Sequence, residues 1–119
     1  MFNVAHAPAV NMIQSTMSGF LFLADVERYT AKVEPLILAA AAQNRSYLML
    51  LDVSCCCIQS QEVVASFQEH VRRMPPARRI AVVTGDSSIR MQVKRIMEGP
   101  AMLMFDERSD ALEWLLGNC

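Results

Sequence analysis

Apolar residues are concentrated in four segments of strand length. Tyr47–Val53, apart from Asp52, and Ile80–Val83 are continuous apolar runs, which are typical of strands covered on both faces of a sheet. Val10–Met17 mixes apolar and polar residues and stops at Ser18-Gly19, and Ala101–Phe105 is a last short run. The pattern therefore predicts a sheet in which the two continuous runs are central strands.

Between these runs, apolar residues recur every three or four positions, which predicts amphipathic helices. Asp25 is a suitable N-cap for the first helix, and Pro35 inside that helix is expected to kink or split it. Asp106 can cap the last helix and Gly117 can end it. The inward faces of the four helices are Val26, Tyr29, Val33, Leu36, Ile37 and Ala40; Val63, Val64, Phe67, Val71 and Met74; Ile89, Val93, Ile96 and Met97; and Ala111, Leu112 and Leu115.

Helices and strands thus alternate along the chain after one or two opening strands. This alternation predicts a single α/β domain over residues 1–119, with a mostly parallel central sheet of about four or five strands and about four helices. Residues 1–9 are either an edge strand or a loose arm. In parallel sheets, functional loops emerge at the carboxyl ends of the strands, and here they begin at Asp52, Thr84 and Asp106.

Composition restricts the classes of function. The chain has 119 residues, 53% apolar and 19% charged, as expected for one globular domain. A formal net charge of -1 argues against nucleic acid as a partner. Its apolar stretches are shorter than the roughly 20 residues that span a bilayer, so no transmembrane segment is expected. The first residues lack the basic start of a signal peptide, so a cytoplasmic location with reduced thiols is expected.

Three consecutive cysteines, Cys55–Cys57, lie in the segment Asp52–Ser60 after the first central run. Thiolate zinc sites use cysteines separated by a few residues, and adjacent side chains point apart in an extended chain, so neither a metal nor another cofactor is expected. Cys56 and Cys57 precede a predicted helix start, which leaves a nucleophilic role open. Because free cysteine is usually buried, the favoured interpretation is packing at the buried exit of a strand. Cys119 is expected to be an exposed thiol.

Two further polar segments have alternative interpretations. Thr84–Ser88 can hold an anion at a helix N-terminus, but the acidic Asp86 favours helix capping instead. Motifs of serine hydrolases, Walker loops and dinucleotide-binding loops are absent from the sequence. A basic cluster is either a solvated face or a docking patch for an acidic partner or an anionic lipid head group, and it comprises Arg72, Arg73, Arg78 and Arg79.

A phosphoacceptor domain of the receiver type is one alternative for the whole fold. Asp52 at the end of one strand and Thr84 after the next resemble the receiver site. That family also has an acidic pair after its first strand, which holds magnesium, and a lysine after its fifth. This chain has Gln14–Ser18 and Phe105–Glu107 at those places. A phosphoaspartate here would therefore lack its metal and its counter-charge.

Six short blocks carry a second family resemblance, and they occur in a characteristic order along residues 10–118. They are Ser18–Leu21, Asp25–Tyr29, Leu48–Asp52, Arg79–Asp86, Leu103–Phe105 and Asp110–Leu115. This ordered set resembles the SpoIIAA-like branch of the STAS family, also described as STAS/SEC14-like. In that family a terminal helix with an Ala-x-x-Trp-Leu pattern closes the fold.

The resemblance implies a small module without enzyme activity that binds a protein partner and is switched by phosphorylation at the start of its second helix. The matching acceptor here is Ser60, where the family's Asp-Ser-Ser-Gly-like turn is replaced by Gln59-Ser60-Gln61-Glu62. The Glu62 carboxylate would repel a phosphate group on Ser60, whereas the positive end of the helix dipole at the start of this helix would stabilise the phosphate. The expected interaction surface comprises Asp52, Ser54, Gln59, Ser60, Gln61, Thr84, Asp86 and Ser87.

The lipid-binding side of the same resemblance implies a carrier or sensor of a small apolar ligand. Nine methionines, with abundant Leu, Val and Ala, can line an adaptable apolar pocket or belong to an ordinary core. An exposed apolar face would also support a homodimer. The sequence thus leaves three hypotheses: an interaction module as the first, an apolar-ligand carrier as the second, and an enzyme that uses Cys55–Cys57 as the third.

Overall fold

The central layer of the molecule is a five-stranded sheet whose strands lie side by side in chain order. In the computed structural model, which describes residues 1–44 and 46–117, β1 is antiparallel to β2 and the other neighbouring pairs are parallel. The expectation of a mostly parallel sheet is confirmed. The strands are β1 (Phe2–Ala7), β2 (Met12–Gly19), β3 (Leu48–Cys56), β4 (Arg79–Val83) and β5 (Met102–Phe105).

Within the described residues, four helices cover the sheet, three on one face and one on the other. They are α1 (Leu23–Asn44), α2 (Gln61–Arg73), α3 (Ser87–Ile96) and α4 (Arg108–Leu116). Met49 and Leu51 of β3 belong to the core beneath α1, α2 and α3, whereas Leu48 and Leu50 belong to the core beneath α4. One strand supplies both cores because successive side chains point to opposite faces of a sheet.

β3 and β4 are parallel neighbours, as the two continuous apolar runs predicted. Leu50 lies beside Ala81, and Asp52 lies beside Val83. The strand order also differs from that of receiver domains, in which the first strand lies between the second and the third. The receiver alternative therefore does not fit this topology.

Three features of the helices and strands differ from the sequence prediction. Asp25 is not the N-cap of α1, because the helix begins at Leu23 and Asp25 lies in its first turn. Pro35 does not split α1, which is continuous from Leu23 to Asn44. Val33 and Ile37 on either side of this proline are both buried in the same core, so packing against the sheet holds the helix together across it. β3 continues through Cys56, three residues beyond the predicted end at Val53.

The prediction that Asp106 caps the last helix is wrong. Glu107 holds the N-cap position of α4 without a side-chain capping hydrogen bond, and Asp106 instead forms an ion pair with Arg90 of α3. Gly117 does follow the helix, as predicted, and a Cβ at this position would lie 2.8 Å from the carbonyl oxygen of Glu113.

Arg45, Asn118 and Cys119 lie outside the described residues. The expected exposure of the Cys119 thiol therefore stays a prediction. Among the helices of the described residues, none combines the length and the apolar character that crossing a bilayer requires.

Candidate functional site

A cavity of about 400 Å³ lies between the sheet and the helices α2 and α3. On the opposite face, α4 packs closely against β3, β4 and β5, whereas α2 and α3 contact each other more closely than they contact the sheet. Protein cores contain few voids larger than a water molecule. A space of this size therefore marks the first candidate for a functional site.

The walls of this cavity are almost entirely apolar. The sheet supplies alternate residues of β3 and β4, and the two helices supply residues that the sequence placed on their inward faces. Five of the nine methionines line the space, and flexible thioethers let a wall adapt to its occupant. The apolar lining includes Met49, Leu51, Val53, Val64, Phe67, Met74, Ile80, Val82, Ile89, Val93 and Ile96.

Gln59 closes one end of the cavity. Its Oε1 accepts a hydrogen bond from the Leu21 N–H at 2.7 Å, and its Nε2 donates to the carbonyl oxygens of Gly19 at 3.0 Å and Cys57 at 2.7 Å. Gln92 of α3 accepts from the Gln59 N–H at 2.8 Å and donates to the Gln59 carbonyl at 2.9 Å. We call these contacts the glutamine clamp, because they join the end of β2, the β2–α1 loop, the β3–α2 loop and α3.

Two tyrosine hydroxyls in the cavity wall are also engaged within the protein. The Tyr29 hydroxyl and Ser15 Oγ share a hydrogen bond of 2.9 Å, and the Tyr47 hydroxyl donates to the Pro75 carbonyl. Burial raises the pKa of Tyr29 and that of Tyr47 to about 12, so both side chains are neutral near pH 7. Neither hydroxyl requires a polar atom from a ligand.

A charged cluster joins α1 to α2 at the same wall. His70 is buried, its Nδ1 lies 2.7 Å from Glu34 Oε2, and Arg73 Nη2 donates to the same oxygen at 2.5 Å. Burial by itself would raise the pKa of Glu34, but the hydrogen bonds from His70 and Arg73 outweigh it and lower that pKa. The carboxylate therefore stays charged and ties the two helices together.

The opposite end of the cavity lies at the α2–β4 and α3–β5 connections. Pro76, Glu98, Gly99 and Pro100 line the cavity there and are exposed to solvent. No contact comparable to the glutamine clamp joins these two connections within the described residues. The cavity therefore reaches solvent at this end.

The residues predicted as an interaction surface do not form one surface. Asp52 points to the face covered by α4, as Leu50 does two residues earlier, and Ser54 donates hydrogen bonds to its carboxylate. Ser60 and Asp86 instead begin helices on the other face. The alternation of side chains along a strand separates the two groups, although all of them lie at the same edge of the sheet.

Asp52 is the centre of a polar cluster that includes two residues not identified from the sequence. Arg108 donates to Asp52 Oδ2 at 3.2 Å and to Gln14 Oε1 at 3.0 Å. Burial would raise the pKa of Asp52, but the hydrogen bonds from Ser54 and the Arg108 guanidinium outweigh it and lower that pKa. Arg108 is 56 residues from Asp52 in the chain, so no local pattern indicates the pair.

The start of α2 is capped by Ser60, which the sequence did not predict as a cap, and the start of α3 by Asp86, which it did. Ser60 is the N-cap of α2, and its hydroxyl accepts from the Val63 N–H at 3.3 Å. Its phosphorylation stays a prediction. The Asp86 carboxylate accepts from the N–H groups of the second and third helical residues of α3, which confirms capping at this position. Gln61 and Ser87, the first residues of the two helices, are exposed.

Thr84 does not lie on an accessible surface. Thr84 is 1% exposed. Val83 lies beside Asp52 and shares its face of the sheet, so the side chain of Thr84, one residue later, points to the opposite face. Its hydroxyl is buried without a hydrogen-bond partner among the described residues. The expectation that Thr84 contacts a partner is therefore wrong for this structure.

The basic cluster divides between the two faces. Arg72 and Arg73 form ion pairs with carboxylates of α2 and α1. Arg79 donates to the Trp114 carbonyl at 2.7 Å, and its guanidinium lies 5.3 Å from the centre of the Trp114 ring on the α4 face. Arg78 is exposed and lines a second pocket, together with Asn11, Ser46 and Leu48.

The prediction that the cysteine triplet is buried is wrong for two of its members. Cys55 and Cys57 are exposed, whereas Cys56 is half-buried and packs against the core. Burial raises the pKa of the Cys56 thiol to about 11, the opposite of what a nucleophilic cysteine needs. In the part of the chain that the structure describes, no group of three or more His, Cys, Asp or Glu side chains could hold a metal ion.

Comparison with known proteins places the fold. The model of the SpoIIAA-like family matches residues 12–116, which is most of the chain. The chain belongs to the SpoIIAA-like family. No curated protein matches it. This SpoIIAA-like chain is therefore a STAS-type module, in agreement with the blocks identified in its sequence.

Two solved structures are similar to the SpoIIAA-like chain over nearly its whole length. One is the crystal structure of an uncharacterised protein of the DUF3478 family with a SpoIIAA-like fold from Shewanella loihica PV-4, with a TM-score of 0.68 and 17% identity over 97% of this chain and 92% of that one. The other is the anti-sigma factor antagonist SpoIIAA in its unphosphorylated form, with a TM-score of 0.68 and 15% identity over 99% of this chain and all of that one. At these identities the likeness shows the fold alone.

Proposed function

We propose that this protein is a non-catalytic, cytoplasmic STAS-type module that binds a small apolar ligand between α2, α3 and the sheet, as a carrier or a sensor. The observation that carries the proposal is the cavity of about 400 Å³. Sites for small molecules typically have volumes of about 300–1,000 Å³ and predominantly apolar walls. Both the size and the lining of this space agree with such a site.

The cavity favours a hydrocarbon occupant. Burying a methylene group contributes about 0.8 kcal/mol. The side-chain hydroxyls and amides of Tyr29, Tyr47, Gln59 and Gln92 are already bonded within the protein. A polar group of the ligand buried among them would lack a partner, at a cost of about 1–3 kcal/mol.

Replacing Val93 by tryptophan is expected to abolish ligand binding. Val93 is 8% exposed and lines the cavity from α3, so an indole at this position would occupy the volume of the ligand. We expect the affinity for a fluorescent fatty-acid analogue to fall by more than about tenfold, measured by titration. Native mass spectrometry of freshly purified wild-type protein should also show a bound apolar molecule that the variant lacks.

Met91→Trp is the matched control, because it adds the same side chain to the exposed face of the same helix, where Met91 is 62% exposed. It is expected to bind the analogue as the wild type does. Ala101→Leu fills the cavity from the β5 side. It replaces Val93→Trp as the test variant if the Val93→Trp protein does not fold. A folded Val93→Trp protein with wild-type affinity would contradict the proposal.

A second candidate function, the binding of a protein partner, is supported by exposed apolar side chains beside the start of α2. Phe20, Phe22 and Ile58 are 48%, 66% and 55% exposed, and the two phenylalanine rings are 5.3 Å apart. The glutamine clamp holds their two loops together, next to Ser60. Exposed apolar residues are common singly, whereas a group of them is typical of an interaction site.

The double variant Phe22→Ser, Ile58→Ser is expected to lose a partner that the wild type retains in quantitative affinity purification. Leu38→Ser is the control, since Leu38 is 52% exposed in the middle of α1, away from these loops. Identical sets of bound proteins from the wild type and the double variant would remove this candidate.

A further inference from the structure

The antiparallel strand β1 leaves one side of its backbone unpaired. It is at the edge of the sheet, so within the described residues only β2 lies beside it. Met1 and Ser18 exchange two backbone hydrogen bonds: the Ser18 N–H donates to the Met1 carbonyl at 3.0 Å, and the Met1 amino group donates to the Ser18 carbonyl at 3.3 Å. Such bonded positions alternate along an antiparallel pair with positions that do not bond to the neighbouring strand. The N–H and C=O groups of Phe2, Val4 and His6 therefore point to the open edge.

β1 lacks the features by which edge strands usually avoid pairing with another chain. Those features are charged side chains, proline, β-bulges and very short strands. The segment Phe2–Ala7 contains no Lys, Arg, Asp, Glu or Pro, and it pairs with β2 in one uninterrupted register. The other edge strand, β5, is shorter, with four residues against six. β1 is therefore the edge at which a further strand can be added.

Apolar side chains accompany this open edge on the face that α1 covers. Phe2 and Val4 pack against the core but are only half-buried. Leu36 of α1 is half-buried in the same core, and it lies about 200° around the helix from Glu34. Because Glu34 contacts α2, Leu36 faces the side of α1 that is nearer to β1. The unpaired backbone and incompletely buried apolar side chains thus lie along the same edge of the molecule.

We propose that a second copy of this chain pairs with β1, with the two strands antiparallel and related by a two-fold axis at Val4. An axis perpendicular to the sheet keeps each side chain on its own face, so Val4 lies opposite its counterpart and Phe2 lies opposite His6 of the second copy. The outward N–H and C=O groups of the three residues then form about six hydrogen bonds between the copies. The two sheets become one continuous sheet.

The sequence of β1 favours its own copy as the occupant. The two other outward residues, Phe2 and His6, lie two positions on either side of Val4, so every outward group meets a partner when the strand pairs with itself. No pair of like carboxylates, ammonium groups or guanidinium groups lies opposite across the axis, since β1 contains none of them. A two-fold contact also closes the assembly at two copies, the commonest symmetric outcome.

Sedimentation velocity over a range of concentrations measures the self-association. Wild-type protein is expected to be mostly dimeric at about 100 μM and to dissociate on dilution. Val4→Lys should raise the dissociation constant at least about tenfold, because it places two cations directly opposite each other. Leu103→Lys is the matched control, since it adds the same charge to the other edge strand, where Leu103 is 46% exposed, and it should leave the dissociation constant unchanged.

Val4→Pro is the second variant, and it serves if Val4→Lys does not fold. The Val4 N–H points to the open edge, so its loss breaks no hydrogen bond to β2 but removes a donor between the copies. This variant should also raise the dissociation constant at least about tenfold.

Amide hydrogen exchange locates the contact. The N–H groups of Phe2 and His6 are expected to exchange at least about tenfold more slowly in the dimer than in the diluted wild type or in a Val4 variant. The N–H groups of Asn3 and Ala5 bond to β2 in either state, so their exchange should change much less.

Three results would overturn the two-fold pairing. One is a wild type that stays monomeric at about 1 mM, including a monomer that binds a different protein through β1. Another is a dimer that both Val4 variants leave intact or that Leu103→Lys weakens equally. The third is an open series of larger oligomers, which would indicate pairing of β1 with β5 of the next copy. Val4 does not line the cavity, so none of these results depends on ligand binding.

Discussion

Replacing Leu50 by alanine is expected to lower the free energy of unfolding by about 3 kcal/mol, within the range of about 2–5 kcal/mol for buried leucines. Leu50 is fully buried in β3 and belongs to the core between the sheet and α4, together with Ala81 and Ala111. Small neighbours in a close-packed core cannot expand to fill the space that the substitution leaves. Urea denaturation should show a lower midpoint at an unchanged slope.

Leu103→Ala is the matched control for this prediction. Leu103 lies in the edge strand β5 and is 46% exposed, so the same truncation there should cost less than about 1 kcal/mol. Equal costs at the two positions would contradict the placement of β3 between two helical layers.

Replacing Gln59 by alanine is expected to lower the free energy of unfolding by about 2 kcal/mol and to open the closed end of the cavity. The substitution removes three side-chain hydrogen bonds and leaves the Leu21 N–H and the Gly19 and Cys57 carbonyls without these partners. Because Gln59 is only partly buried, water can replace some of the three lost hydrogen bonds. The expected cost is therefore near the lower end of the range for the loss of buried hydrogen bonds. Urea denaturation gives the cost, and amide hydrogen exchange at Leu21 should become faster.

Gln61→Ala is the control, because Gln61 is an exposed glutamine two residues later and makes no hydrogen bond of this kind within the described residues. Its cost should stay within about 0.5 kcal/mol. If Gln59→Ala is equally mild and hydrogen exchange at Leu21 does not change, the glutamine clamp does not hold the two loops.

The glutamine clamp also connects the two candidate functions. It closes the cavity on one side and positions the exposed Phe20, Phe22 and Ile58 on the other. Gln92 belongs to α3, a wall of the cavity, so a ligand that displaces α3 would act directly on the loops that form the candidate partner surface. Weaker ligand retention by Gln59→Ala than by Gln61→Ala would be consistent with this coupling.

The elements of the fold were predictable because their signals are local. The continuous apolar runs of β3 and β4 predicted two adjacent parallel strands, and the helical faces of α2 and α3 matched the residues that line the cavity. The cysteine triplet was misjudged for a tertiary reason. Burial decreases along β3, whose first four residues are buried and whose Ser54 and Cys55 are exposed, and Cys57 follows the strand in an exposed loop.

The sequence by itself determined the order of the strands and helices, the parallel pairing of the central strands and membership of the SpoIIAA-like family, since apolar periodicity and short ordered blocks carry this information. Only the tertiary structure decided that α2 and α3 leave a cavity above the sheet, that Gln59 meets Gln92, and that Asp52 meets Arg108 rather than Thr84. The physical reason is distance along the chain. These contacts join residues 33 and 56 positions apart, and the gap between helix and sheet depends on how whole elements pack, which no local pattern records.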